Sequence, residues 1–149
     1  MGYQTAAGSS IAISAGAPAT QDAAGFAALT FTEVGGVEKI GPIGASFAKV
    51  DFQPLKGPKV KLKGSADYGS LQPSYAHDTA DAGQTLLRTA AKNETNTYYG
   101  FRVTLQDGSK YYFQGLVFGS PVTVDGADSV VTAAPMVEVN TKPVEVAAT

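Results

Sequence analysis

Residues 98–118 read YYGFRVTLQDGSKYYFQGLVF, two aromatic-rich segments on either side of Asp107-Gly108. Apolar side chains stand at both odd and even positions, whereas a sheet wetted on one face alternates cleanly. The segment therefore predicts a β-hairpin covered on both faces. Turn length sets its register. A two-residue turn pairs Leu105 with Lys110 and Phe101 with Gln114. A three-residue loop of Gln106, Asp107 and Gly108, with Gly108 left-handed in a bulge, pairs Val103 with Tyr111 and Phe101 with Phe113. The second register is preferred. It gathers Tyr99, Phe101, Val103, Leu105, Tyr111, Phe113 and Val117 on one face, and a one-residue slip would mix Lys110 and Gln114 into it. The other face then holds Tyr98, Arg102, Thr104, Tyr112, Gln114, Leu116 and Phe118. It is half apolar and needs a cover, from a helix or from another subunit.

Short strand patterns recur along the rest of the chain, at 9–14 (SSIAIS), 26–34 (FAALTFTEV), 47–55 (FAKVDFQPL), 69–76 (GSLQPSYA), 121–124 and 129–140. Residues 16–25, rich in Ala, Gly and Pro, read as a surface loop, and 39–46 as turn-like. Pro73 places its strand at an edge or a bulge. After Lys56-Gly57-Pro58, Lys59, Lys61 and Lys63 alternate with Val60 and Leu62. Such a segment cannot lie in a core, so residues 53–63 are expected to project as a hairpin whose lysines discourage stray edge pairing.

One helix is predicted over residues 79–92. Asp78 or Thr79 caps it and Asp81 favours its dipole. Ala82, Leu86, Leu87, Ala90 and Ala91 form an apolar stripe, and Asn93 stops the helix. Residues 1–8 and 144–149 are expected to be loose. The composition agrees, since 17 Gly and only 16% charged residues suit strands and turns better than a helical bundle. The expectation is a single domain over 1–149, α+β but mainly β: about seven strands in a β-sandwich or partly open barrel with one packed helix.

Chemistry is sparse. Without cysteine there is no disulfide, thiolate nucleophile or thiolate metal site. A net charge of −2 and a pI near 5.3 leave no basic footprint for nucleic acid. No run approaches the roughly 20 apolar residues of a membrane span. The start lacks a signal-peptide pattern, and Ala6 stands where a myristoylation motif wants Ser or Thr, so a soluble, unlipidated chain is expected.

His77 is the single histidine, and with no G-x-S-x-G motif it reads as a loop residue before the helix. Asp78 and Asp81 read as helix-end acids rather than a catalytic pair. Asp125-Gly126-Ala127-Asp128 lacks calcium-loop spacing, and Gly35, Gly36 and Gly41 lack that of a phosphate loop. Asn93-Glu94-Thr95 is a glycosylation sequon only in a secreted eukaryotic chain. Phosphate contact by the lysines and a sugar platform of Tyr98, Tyr99, Tyr111 and Tyr112 are the functional alternatives to plain packing. Packing is the expectation: no enzyme, no metal and no cofactor.

From about residue 39 to 139 the order of parts resembles the tail tube proteins (major tail proteins) of long-tailed bacteriophages, particularly the non-contractile kind. The landmarks are KIGPIG leading into FAKVDF, the polar segment PLKGPKVKLKG, and DYGSLQPSYAHD followed by TADAGQTLLRTAAKN. After them come YYGFRVTLQDGSKYYFQGLVFGSPVTV and the closing VVTAAPMVEV. The resemblance implies a tail-tube-type domain that forms hexameric rings, stacked into a hollow conduit for DNA ejection. Genomic DNA passes through such a lumen without specific binding. The partners implied are copies of the chain itself and tape measure, tail terminator and tail tip proteins, with no membrane. The implied location is the virion tail, after assembly in the bacterial host cytoplasm. Tubes of contractile tails and of type VI secretion share the fold. The residues expected at inter-ring and subunit contacts are Leu55, Lys56, Lys59, Lys61, Lys63, Tyr98, Tyr112, Leu116 and Phe118. A monomeric carbohydrate-binding β-domain is the alternative function.

Overall fold

The aromatic hairpin occupies the middle of the larger of two body sheets in this structure, a computed structural model that describes residues 3–148. Its strands are β8 (Tyr99–Thr104) and β9 (Lys110–Val117). Phe101 stands opposite Phe113 and Val103 opposite Tyr111, the register of the three-residue loop. The Gly108 amide donates to the Leu105 carbonyl at 3.0 Å, and Gly108 takes φ +97°, where a side chain is strained. The Asp107 carboxylate accepts from the Ser109 amide at 2.9 Å and locks the turn.

Around this pair, β1 (Ser10–Ser14) runs antiparallel to β8, and β2 (Thr32–Glu33) adds outside β1. On the far side β12 (Val137–Val139) and β13 (Val144–Val146) pair successive stretches of the long β9, and β6 (Ser70–Leu71) pairs β12. A smaller sheet has the order β10 (Val122–Thr123), β11 (Thr132–Ala133), β7 (Ser74–Ala76), β3 (Val37–Lys39). β4 (Ser46–Phe52) and β5 (Val60–Asp67) pair only with each other. The class is α+β and mainly β, as expected.

The core gathers Ile11, Ile13, Phe101, Phe113 and Val137 from the larger sheet, Tyr75 and Ala133 from the smaller one, and Leu87 and Ala90 from helix α2 (Ala82–Lys92). The helix is keyed to both sheets by a buried amide. Gln84 donates to the Gly35 and Ala76 carbonyls at 2.9 and 2.8 Å and accepts from the Asp78 amide at 2.8 Å. Both its N–H groups and its carbonyl oxygen are bonded, as burial requires.

Several expectations need correcting. The cap of α2 is Asp81, not Asp78 or Thr79, because its carboxylate accepts both the Gln84 amide and, from the β2–β3 connection, the Gly35 amide, each at 3.0 Å. The buried stripe is accordingly Gly83, Gln84, Leu87 and Ala90, with Ala82 outside it. Residues 16–25 are not all loop, nor is 26–34 a strand: a short helix α1 (Ala23–Ala27) sits across that boundary, and only Thr32–Glu33 is extended as a strand. The 69–76 segment is two strands in different sheets, with Pro73 buried at the crossing between them. The 129–140 stretch likewise divides into β11 and β12. The C-terminal end is not loose, since Val144–Val146 pairs with β9. In place of about seven strands and one helix, the described residues hold thirteen short strands and two helices. The expectation of looseness at residues 1, 2 and 149 lies outside the described residues.

Candidate assembly surface

The β4–β5 hairpin is the most distinctive surface. The expected projection at 53–63 is part of a longer ribbon, Ser46 to Asp67, in which every residue of β4 is exposed and all but one of β5. Cross-strand partners share a face, and alternate residues on a strand share it too. Val50 faces Leu62 and Phe52 faces Val60, which makes one side apolar. Lys49 faces Lys63 and Asp51 faces Lys61, which makes the other side basic. Near the base, Gly64 and Ser65 oppose the single Ala48, a bulge that lets Lys63 lie 5.0 Å over the Phe47 ring.

At the tip, Gln53 donates to the Pro54 and Gly57 carbonyls at 2.9 and 3.0 Å, and Leu55 is fully exposed. Phe52 and Leu62 expose 60% and 54% of their surface. A two-stranded ribbon without a third layer is marginal in water. This one displays the face that should be hidden.

The expected contact residues fall into three groups. Leu55, Lys56 and Lys59 lie at the ribbon's tip, and Lys61 and Lys63 lie along its basic side. One ion pair is present there, Lys49 with Asp51 at 3.8 Å on the surface, which contributes little. Tyr98 and Phe118 are exposed, and Leu116 and Phe118 border a shallow cleft beside Asn93 and Glu94. Tyr112 is a correction. It is buried within its own chain, its ring stacked 5.5 Å from Phe26 of α1 and 5.9 Å from Phe31, so it is not available to a neighbouring subunit. With Tyr99 buried as well, the four tyrosines form no open platform for a sugar.

Residue-by-residue reading passed over Phe47, Val50, Phe52, Val60 and Leu62 as contact groups, although Ala48, Val50 and Phe52 alternate with Lys49 and Asp51 in the sequence. That alternation signals an amphipathic strand but not which side stays open. His77 lies in the connection before α2, its amide donating to the Val131 carbonyl at 2.8 Å. Among the described residues no three His, Cys, Asp or Glu side chains converge as a metal site. Among the same described residues no helix is long and apolar enough to cross a membrane.

No family model matches the chain, and no curated protein matches it in sequence. Its fold is similar to solved ones. It matches a chain in the cryo-EM structure of the anti-feeding prophage baseplate, 6-fold symmetrised, with TM-score 0.68 and 8% identity over 93% of this chain and 91% of that one. It matches a chain in the cryo-EM structure of an extracellular contractile injection system, PVC sheath/tube terminator in the extended state, with TM-score 0.67 and 6% identity over 97% and 98% of the two chains. It also matches the PVC sheath–tube complex in the extended state, with TM-score 0.60 and 7% identity over 92% and 88%. None of these three is described as a non-contractile tail. At such identities the likeness is one of fold, and nearly the whole chain has the fold of components found in these particles.

Proposed function

We propose that this chain is a non-enzymatic structural subunit of a phage-tail-like particle, which polymerises as stacked hexameric rings into a hollow tube. The observation that carries the reading is the ribbon, apolar on one side and basic on the other, which its own chain leaves bare. Exposed apolar surface of this kind marks an interaction site, and a second copy is the partner always at hand. The shared fold with chains of contractile injection particles supports a place in a tail assembly. The order of sequence landmarks supports the tube role in particular, in a long non-contractile tail. In that role the ribbon reaches the neighbouring ring, genomic DNA passes through the lumen without specific binding, and tape measure, terminator and tip proteins meet the tube's ends. The virion tail is its place, after assembly in the bacterial host cytoplasm. The chain's net charge of −2 suits a conduit, since a cationic lumen would hold phosphates.

Negative-stain electron microscopy of the concentrated protein tests this directly: rings or tubes with a central hole are expected. Replacing Lys59, Lys61 and Lys63 together with Glu is expected to leave the monomer's unfolding midpoint unchanged while stacking is lost. A chain that remains monomeric at high concentration overturns the proposal.

A further inference from the structure

Charge is segregated along the chain. The ribbon from 46 to 67 carries five lysines against Asp51 and Asp67, a net +3, while the remainder carries −5. Residues 111–141 contain no lysine or arginine at all. In the middle of that basic-free stretch, the turn between β10 and β11 holds Asp125 and Asp128, both exposed. Beside them Val122, Val124 and Val130 are also exposed, and β10 is one of the two edge strands of its sheet. Exposed valines and exposed acids thus coincide on one edge, matching the valine, leucine and lysine surface of the ribbon. The cavity of 330 Å³ lined by Val37, Ile40, Ile43, Val103 and Leu105 fits less well, because Glu38 and Lys39 both line it and leave it no acidic excess.

We infer that the β10–β11 turn of one copy receives the open β5 edge of the next copy's ribbon, with Val122, Val124 and Val130 on its apolar side and Asp125 and Asp128 meeting the lysines that reach round that edge from the other side. This rests on the tube reading above and names the receiving surface within it. The two patches lie on different parts of the chain, and in stacked rings their contact runs head-to-tail and propagates from copy to copy. Opposite charges fix partner and orientation, while the apolar contact supplies affinity.

The test uses two full-length variants. One carries Lys59→Glu, Lys61→Glu and Lys63→Glu; the other carries Asp125→Lys and Asp128→Lys. Every changed residue is exposed, so both are expected to fold with the wild-type circular dichroism and unfolding midpoint. Alone, each sets like charges face to face and is expected to raise the critical concentration for polymer formation about tenfold or more. Mixed in equal amounts, each ribbon again meets a turn of opposite sign, and polymers return. If the Asp125→Lys, Asp128→Lys variant polymerises like the wild type, or if the mixture stays unassembled, the receiving surface is wrong and the tube reading stands. If the wild type itself never polymerises, both fall.

Discussion

The rings of Phe26 and Tyr112 stack with centroids 5.5 Å apart and planes 17° from parallel. This contact explains how the aromatic hairpin stays dry on its second face: α1 folds back over β9, and Phe31 completes the cover with Arg102 5.0 Å over its ring. The cover ends before Leu116 and Phe118, where the same face opens to solvent. Part of the hairpin's apolar excess is therefore an internal matter and part is surface.

Phe26 is fully buried, so Phe26→Ala removes a ring and leaves Tyr112 beside a void. The expected loss is about 3–5 kcal/mol of unfolding free energy, measured by chemical denaturation. Phe118→Ala, at a position 64% exposed, is expected to cost less than about 0.5 kcal/mol. Equal costs for the two would mean that α1 does not seal the sheet.

The same cover is expected to respond to acid. Asp22 caps α1, and its carboxylate accepts from the Thr20 hydroxyl at 2.6 Å and the Gly25 amide at 2.8 Å. Those bonds, the hydroxyl's foremost, hold its pKa below the usual 3.8. A folded pKa below the unfolded one means the contribution is complete above pH 3.8 and disappears as pH falls through the folded value. Near-ultraviolet circular dichroism should report a change in the Tyr112 environment in that acid window, below pH 3.8. Asp22→Asn keeps a capping side chain but cannot titrate, and should erase the change. A change that persists in the Asn variant assigns it elsewhere.

How much of this was readable beforehand depends on whether the deciding contact was local. The β8–β9 register follows from its own residues, because Asp107-Gly108 and the facing aromatics choose between two turns without outside help. The lysine alternation likewise announced a ribbon that avoids the core. α1 was hidden, since AAGFA is five residues of mostly small side chains whose helical state is decided by Phe26 finding Tyr112 far along the chain. Local sequence puts the cap of α2 at Asp78 or Thr79 and leaves Asp81 as a first-turn acid; the Gly35 amide, 46 residues away, bonds Asp81 and helps fix the cap there. The apolar side of the ribbon was legible as alternation, but the same alternation serves a covered strand. Only the fold reveals that none of the described residues lies over it.

Gly83 seats the first turn of α2 against the end of β2. A Cβ there would lie 2.2 Å from the Glu33 carbonyl oxygen and 2.7 Å from the Val34 Cα, backbone atoms that cannot swing aside. Alanine favours a helix over glycine by about 1 kcal/mol, yet Gly83→Ala is expected to destabilise the protein, by about 1–3 kcal/mol from the forced separation. Gly126→Ala, with nothing within 4 Å of the added carbon, is the neutral control. Thermal unfolding of the two variants decides the matter, and a stabilised Gly83→Ala protein would show that the helix seat is loose.

Hydrogen exchange separates the ribbon from the body most sharply. β4 and β5 pair only with each other, and Val50, Phe52, Val60 and Leu62 have no layer above them, so opening the ribbon exposes little that was buried. Its amides are expected to exchange at least about a hundredfold faster than those of β8 and β9, which lie in the core and open only when most of the molecule does. Assembly should narrow that gap, because a neighbour supplies the missing layer. Phe52→Ser with Leu62→Ser replaces two exposed apolar groups, so monomer stability should move by less than about 0.5 kcal/mol while the protection gained on assembly disappears. Slow exchange of β4 and β5 in the isolated monomer, matching Phe101 and Phe113, would mean that the ribbon is stable without a partner, and the physical case for self-assembly through it would be gone.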